Sequence, residues 1–184
     1  FNINIVDDNG DILADGEVGH IAIRTEDKWP AGLFHGYLQD NVLVTDSFRH
    51  GWYYTGDTAS RDKDGYLWFV GRSDDLISSA GYRISPFEVE SALLEHELIA
   101  ESAVVGIPDA TRGQLVKAYI VLVEDHKGSI ELVKKIQDFC KNLTAPYKYP
   151  RKIEFVSSLP KTISGKIRRV ELRENKKLIR KNNE

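Results

Sequence analysis

At 184 residues, of which 41% are hydrophobic and 29% charged, the chain has the composition of a globular protein rather than a disordered one, enough for one domain or one plus part of another. Its formal net charge of −3 gives no overall attraction to nucleic acid, and no apolar run of about 18 residues is present to span a membrane. The single cysteine, Cys140, has no internal partner for a disulfide, which points to a reducing compartment, the cytoplasm.

The sequence contains no methionine, lacks the basic and apolar regions of a signal peptide, and begins at Phe1 in what reads as mid-strand. The expectation is a segment of a longer protein. Phe1, Ile3 and Ile5 alternate with Asn2, Asn4 and Val6 as a strand, followed by the turn residues Asp8-Asn9-Gly10. Gly19–Arg24 alternates again. Residues 26–50, interrupted by Pro30, Gly32 and Gly36, read as loop with a short helix. Gly51–Asp57 leads into a hairpin, with Asp64-Gly65 as a two-residue turn between Thr58–Arg61 and Tyr66–Val70.

After Arg72 the pattern changes to alternating helices and strands. A β part (1–72) therefore meets an α+β part (73–184) near Arg72–Asp75, and the fold class is α+β. Ser85-Pro86-Phe87-Glu88 reads as a helix start: Ser85 as cap, Pro86 in the first position and Glu88 closing a capping box. Val89, Ala92 and Leu93 form that helix's buried stripe. Ala103–Ile107 and Leu115–Val123 are apolar, β-branched strands. Ser129 caps a second helix that presents Val133, Ile136, Cys140 and Leu143 on one face. Ile153–Val156 is a short strand and Ile167–Lys177 a terminal basic helix. Its cations, with Arg180 and Lys181 beyond, lack interleaved aromatics and are diluted by Glu171 and Glu174. They read as a solvated helix end, not a nucleic-acid surface.

Four short motifs stand in one order: Tyr54-Thr55-Gly56-Asp57, Gly71-Arg72-Ser73-Asp74-Asp75, Ser79-Ala80-Gly81-Tyr82-Arg83-Ile84 followed by Glu88-Val89-Glu90, and Pro160-Lys161-Thr162-Ile163-Ser164-Gly165-Lys166. Asp57, on a turn after a strand, suits two hydrogen bonds from a cis-diol such as ribose, or is a turn aspartate and nothing more. Arg72 offers a planar donor fork for ribose or phosphate oxygens, or forms a surface pair with Asp74 or Asp75. Gly81 stands where a backbone turns tightly or lets a ligand pass close. Gly165 frees the backbone to present Lys166, a compact charge on a flexible stem; the alternative is one more solvated lysine.

Together the motifs resemble the adenylate-forming superfamily of acyl-CoA synthetases, luciferases and peptide-synthetase adenylation domains, across nearly the whole chain. Thr144–Pro150 and the Ala80–Arg83 wording look most like the acetyl-CoA and medium-chain acyl-CoA synthetase branch. The resemblance implies an AMP-forming ligase that makes acyl-AMP from a carboxylic acid and ATP, then acyl-CoA from acyl-AMP and coenzyme A. It implies that residues 1–72 are the β-rich part of a distorted barrel in a larger N-terminal domain. Residues 73–184 are then a small, mobile α+β lid domain with a short mixed sheet.

By the same resemblance, Asp57 and Arg72 contact the nucleotide, and Asp74 is the hinge about which the lid swings between half-reactions. Lys166 stabilises charge on the α-phosphate and the carboxylate during adenylation. Ala80, Gly81, Tyr82 and Arg83 line the pantetheine tunnel, with Arg83, Arg112 and Lys141 on coenzyme A; Ala80 departs from the polar residue common there. Arg112 and Lys141 read as readily as a loop charge and an exposed helix lysine. The triphosphate loop, the glutamate for Mg2+ and the acyl pocket are implied to precede Phe1. The rest of that N-terminal domain is then the chain's partner, and the chain by itself is expected to be inactive. Two rivals remain: an adenylation domain loading a carrier protein, which needs neither Arg112 nor Lys141, and a non-catalytic nucleotide- or coenzyme-binding module.

Overall fold

The computed structural model describes residues 1–174. The chain divides into two compact units, Phe1–Asp74 and Asp75–Glu184. Among the described residues no helix is long and apolar enough to cross a membrane.

The first unit is built of strands: β1 (Ile3–Val6), β2 (Val18–Arg24), β3 (Tyr37–Gln39), β4 (Val42–Val44), β5 (Phe48–Arg49), β6 (Trp52–Arg61) and β7 (Leu67–Arg72). Its five-stranded antiparallel sheet runs β1-β2-β6-β5, with β7 also on β6. One edge of β6 carries β2, and the other is shared between two strands. Trp52 and Tyr53 pair with β5, and Asp57–Arg61 pair with β7, so Thr55 and Gly56 fall where the partner changes. Val6, Ala22, Trp52 and Tyr54 form the core on one face. The polar tips of the two large rings are satisfied by backbone, Trp52 Nε1 donating to Gly10 O at 3.0 Å and Tyr54 Oη to Asp7 O at 3.2 Å.

Two expectations for this unit fail. Residues 26–50 contain no helix; β3 and β4 form a separate hairpin there, turned by Asp40 and Asn41 at φ 50° and 64°, the backbone of a mirror-image turn. Asp64-Gly65 is not a two-residue turn either. Asp62 N donates to Tyr66 O and Gly65 N to Asp62 O, both at 3.0 Å, so the loop spans 62–66. The Asp62 carboxylate organises it, accepting from the N–H of Asp64 (3.0 Å) and Tyr66 (2.9 Å) and from Trp68 Nε1 (2.7 Å).

The second unit comprises β8 (Ile77–Ser79), β9 (Tyr82–Ile84), α1 (Pro86–Leu94), β10 (Ile99–Asp109), β11 (Gly113–Leu122), α2 (Ile130–Leu143), β12 (Lys152–Phe155) and α3 (Arg169–Glu174). The sheet runs β10-β11-β8-β9, with β12 parallel to β11 and all other pairs antiparallel, the expected short mixed sheet. Strand alternation sends Val104, Val116, Ala118 and Ile120 to the face covered by α1 and α2. Ala103, Val105 and Tyr119 face the other way, against Leu159 and Leu172. Both faces are covered, which is why these strands read as continuous apolar runs.

Ser129 caps α2 as expected, accepting from Leu132 N at 3.1 Å. The buried stripe, however, is Leu132, Ile136 and Cys140, and Leu143 is exposed. The capping box at α1 does not form: the Ser85 side chain makes no cap bond, and Glu88 pairs with Lys148. The terminal helix is seen as Arg169–Glu174; its expected continuation to Lys177, with Lys176, Arg180 and Lys181, lies outside the described residues.

The β8–β9 turn is Ala80-Gly81, at φ 51° and 84°. The left-handed conformation costs a residue with a Cβ about 1–2 kcal/mol. Ala80→Gly is therefore expected to raise the unfolding free energy by about 1 kcal/mol, read from urea melts. No gain would show that the turn carries no strain.

Candidate functional site

The sequence-predicted nucleotide residues meet where β6 changes partner. Asp57 and Arg72 face each other across β6 and β7, and Arg72 Nη1 lies 3.7 Å from Asp57 Oδ1. Arg72 Nε donates to Asp74 Oδ1 at 3.2 Å and Nη1 to Thr55 O at 3.5 Å, so one guanidinium reaches the other two candidates of the first unit, Asp57 and Asp74. Its plane lies against Gly56, where a Cβ would come within 2.8 Å of Arg72 Nη1, and Gly56 itself has φ +84°. Ser73 N closes the strand ends by donating to Gly56 O at 2.9 Å.

Arg72 makes the surface pair with Asp74 that the sequence offered as the alternative to a nucleotide contact. It is paired with Asp74 and Asp57, and it is half exposed, its donors at the mouth of the β6–β7 junction. The neighbouring Tyr53 is pushed up to about 12 by burial and by its hydrogen bond with Tyr37, so it stays neutral at physiological pH. A cavity of about 500 Å³ opens beside Phe1, Arg24, Asp27 and Trp29, and none of the candidate residues lines it.

In the second unit the structure brings Ala80–Arg83 and Arg112 together. Ala80 N donates to Arg112 O at 2.9 Å, and Gly113 pairs with Ser79, so the β8–β9 tip sits beside the β10–β11 turn. Tyr82 stacks on Tyr147 with ring centroids 4.0 Å apart. Arg83 is exposed on β9 opposite Ser78. Lys141 is engaged on α2 itself. Its Nζ donates to Asp138 at 2.8 Å and lies 4.6 Å over the Tyr149 ring, and the Asp138 bond raises its pKa.

Lys166 closes a tight loop. Thr162 N donates to Lys166 O at 2.8 Å, Gly165 N to Thr162 O at 2.9 Å, and Lys166 N to Thr162 Oγ1 at 3.1 Å. Gly165 has φ +84° with no atom near the place a Cβ would occupy, so the backbone turn, not crowding, calls for glycine. The Lys166 side chain is exposed, and no acidic side chain pairs with it among the described residues.

A buried charge cluster was not foreseen. Glu90 on α1 accepts from Arg169 Nη2 at 3.0 and 2.8 Å and from Val104 N at 2.7 Å. Arg169 Nη1 reaches Asp75 at 3.2 Å, and Arg173 pairs with the same carboxylate. Burial raises the Glu90 pKa, with Arg169 pulling the other way. Arg169 is thus no solvated helix-end cation. The available signal was Glu90, a charged residue adjoining Val89 in the helix's buried stripe.

Residues 88–166 match the family described as AMP-binding enzyme C-terminal domain. The chain is 55% identical over 175 residues to the rat mitochondrial acyl-coenzyme A synthetase ACSM3, covering 94% of itself and 30% of that protein. It is 55% identical over 185 residues to 4-hydroxybutyrate–CoA ligase 1 of Metallosphaera sedula, covering 100% of itself and 32% of that protein. Its structure resembles the anthranilate CoA ligase AuaEII in complex with anthranoyl-AMP, with TM-score 0.79 and 40% identity over 97% of this chain and 34% of the other. The chain spans about a third of the length of the relatives it matches.

Proposed function

We propose, from the premise that this chain belongs to the AMP-binding enzyme C-terminal domain family and is related along nearly its whole length to acyl-CoA synthetases, that it serves an enzyme joining a carboxylic acid to coenzyme A through an acyl-adenylate. The observation that carries this reading is the loop Thr162–Lys166, which holds out an ammonium with no acidic partner among the described residues, at the last position of the family match.

In the first half-reaction a carboxylate oxygen attacks the α-phosphorus of ATP and pyrophosphate leaves. Negative charge gathers on the α-phosphate oxygens, and the Lys166 ammonium stabilises it where it develops. Asp57 accepts from the ribose hydroxyls, and Arg72, already held beside it, donates to ribose or phosphate oxygens. In the second, the coenzyme sulfur attacks the acyl carbonyl and AMP leaves, with Ala80–Arg83 and Arg112 offering a turn and two guanidiniums to the incoming thiol's carrier. Among the described residues no three His, Cys, Asp or Glu side chains converge to hold a metal ion.

The test is acid-dependent release of pyrophosphate from ATP by the full-length enzyme, with acetate, butyrate, octanoate and 4-hydroxybutyrate. Coenzyme-dependent release of AMP should follow. No pyrophosphate with any acid refutes the ligase reading; pyrophosphate release without discharge to coenzyme A refutes the choice of acceptor.

Asp74, at the boundary of the two units, is read as the hinge. Proline there fixes φ near −65° and restricts Ser73. Asp74→Pro is expected to slow thioester formation while acyl-AMP formation continues. Asp74→Ala, which removes only the contact to Arg72, is expected to stay near wild type in single-turnover measurements of each step. Wild-type rates for both steps in Asp74→Pro would place the hinge elsewhere.

A further inference from the structure

One cluster of buried and partly buried charges in the second unit draws on three stretches of chain with different tasks. Asp75 directly follows the residue read as the hinge, Glu90 belongs to α1, and Arg169 and Arg173 lie just beyond Lys166 on α3. The side chains of Glu90 and Asp75 are 8% and 16% exposed. Charges buried this deeply seldom add stability over an apolar core of the same shape; they are favoured where one arrangement must be held.

Arg169 is the centre. Nη2 binds both oxygens of Glu90 and Nη1 binds Asp75, so a single rigid fork fixes two elements at once. The helix that carries it is described over Arg169–Glu174. It is held by this fork, by Leu172 in the core, and by Tyr119 Oη donating to Leu172 O at 3.0 Å. The lysine loop hangs between two anchored stems. Buried Leu159 precedes it, Arg168 N donates to Pro160 O at 2.9 Å across its base, and Arg169 follows.

We propose that Arg169 is a positioning residue for Lys166, clamping the lysine loop to the residue beside the hinge so that the two move as one body. This rests on the readings of Lys166 as the adenylation lysine and of Asp74 as the hinge. A displacement of about 1 Å in a catalytic group costs up to a hundredfold in rate, so a fork that holds the loop's base matters to chemistry it never touches.

The test is Arg169→Lys in the full-length enzyme, which keeps the charge and loses the fork. At saturating ATP and acid, acyl-AMP formation should fall by about tenfold to a hundredfold, with KM for ATP unchanged. Thioester formation from supplied acyl-AMP should remain near wild type, as should the melting temperature relative to the assay temperature. Asp75→Asn, which weakens one arm of the fork, should shift the same step in the same direction, and it serves if Arg169→Lys does not fold. Unchanged adenylation in both variants, or equal loss in both half-reactions, overturns the proposal. Lys166→Ala runs alongside: if it adenylates normally, the reading of Lys166 has failed; if it is crippled while Arg169→Lys is normal, only the positioning role has.

Discussion

Replacing Lys166 by alanine in the full-length enzyme is expected to cut acyl-AMP formation by about 100- to 1000-fold, the usual cost of removing one preorganised charge from a transition state. Thioester formation from supplied acyl-AMP should be nearly unchanged. The asymmetry follows from how the residue is presented. The Thr162–Lys166 turn is held by its own hydrogen bonds and needs no contact from the Lys166 ammonium, so truncation removes charge without loosening the loop. Lys166→Arg keeps the charge but replaces a compact ammonium by a broader planar fork, and partial activity is expected of it. Single-turnover release of pyrophosphate and of AMP, measured separately, checks both. Equal loss in the two steps would mean that Lys166 serves something common to both.

Arg169→Met should have the largest effect on stability. It leaves Glu90, 6% exposed, with its hydrogen bond from Val104 but without its counter-charge. Breaking a buried pair from one side costs about 3–5 kcal/mol. The cost depends on pH in a definite sense. Burial already raises the Glu90 pKa and Arg169 opposes this, so without Arg169 the folded-state pKa rises further. A carboxyl whose pKa is raised on folding stabilises fully below its unfolded value, about 4.3, and loses that contribution as pH rises through the folded value. The deficit of Arg169→Met against wild type should therefore be larger at pH 7.5 than at pH 5 in urea melts. Adding Glu90→Gln should recover part of it. A deficit independent of pH would show that Glu90 is not the group left exposed to the loss.

The sequence made some of this legible and hid the rest for physical reasons. Ser129 could be read as a cap because its motif is local: a hydroxyl, three residues and an amphipathic helix. The capping box at Ser85 loses its Glu88 arm to Lys148, 60 residues away, and no periodicity reports such a partner. Strands of two or three residues, as at 37–49, are too short to show alternation, and only Asp40-Asn41 hinted at their turn. Motif order put Asp57 and Arg72 in one neighbourhood, but their pairing depends on a register shift between Thr58 and Ala59 that composition does not encode. Glu88 and Glu90 are both glutamates of α1, and the buried one differs from the exposed one by only two residues of helical phase.

The parallel pairing of β12 on β11 bears on the order in which the second unit assembles. β10 and β11 close through residues 110–112, so their long ladder grows from a minimal loop. β12 reaches β11 only after the chain has passed through α2, and the loop to be closed is many times longer. Closure entropy rises with loop length, and pairings between distant segments form late. The β10–β11 hairpin is thus the natural nucleus, and α2 and β12 dock on a sheet that already exists. Synthesis from the N-terminus imposes the same sequence of events. The loop bearing Lys166, strung between β12 and α3, is among the last parts of the unit to take shape.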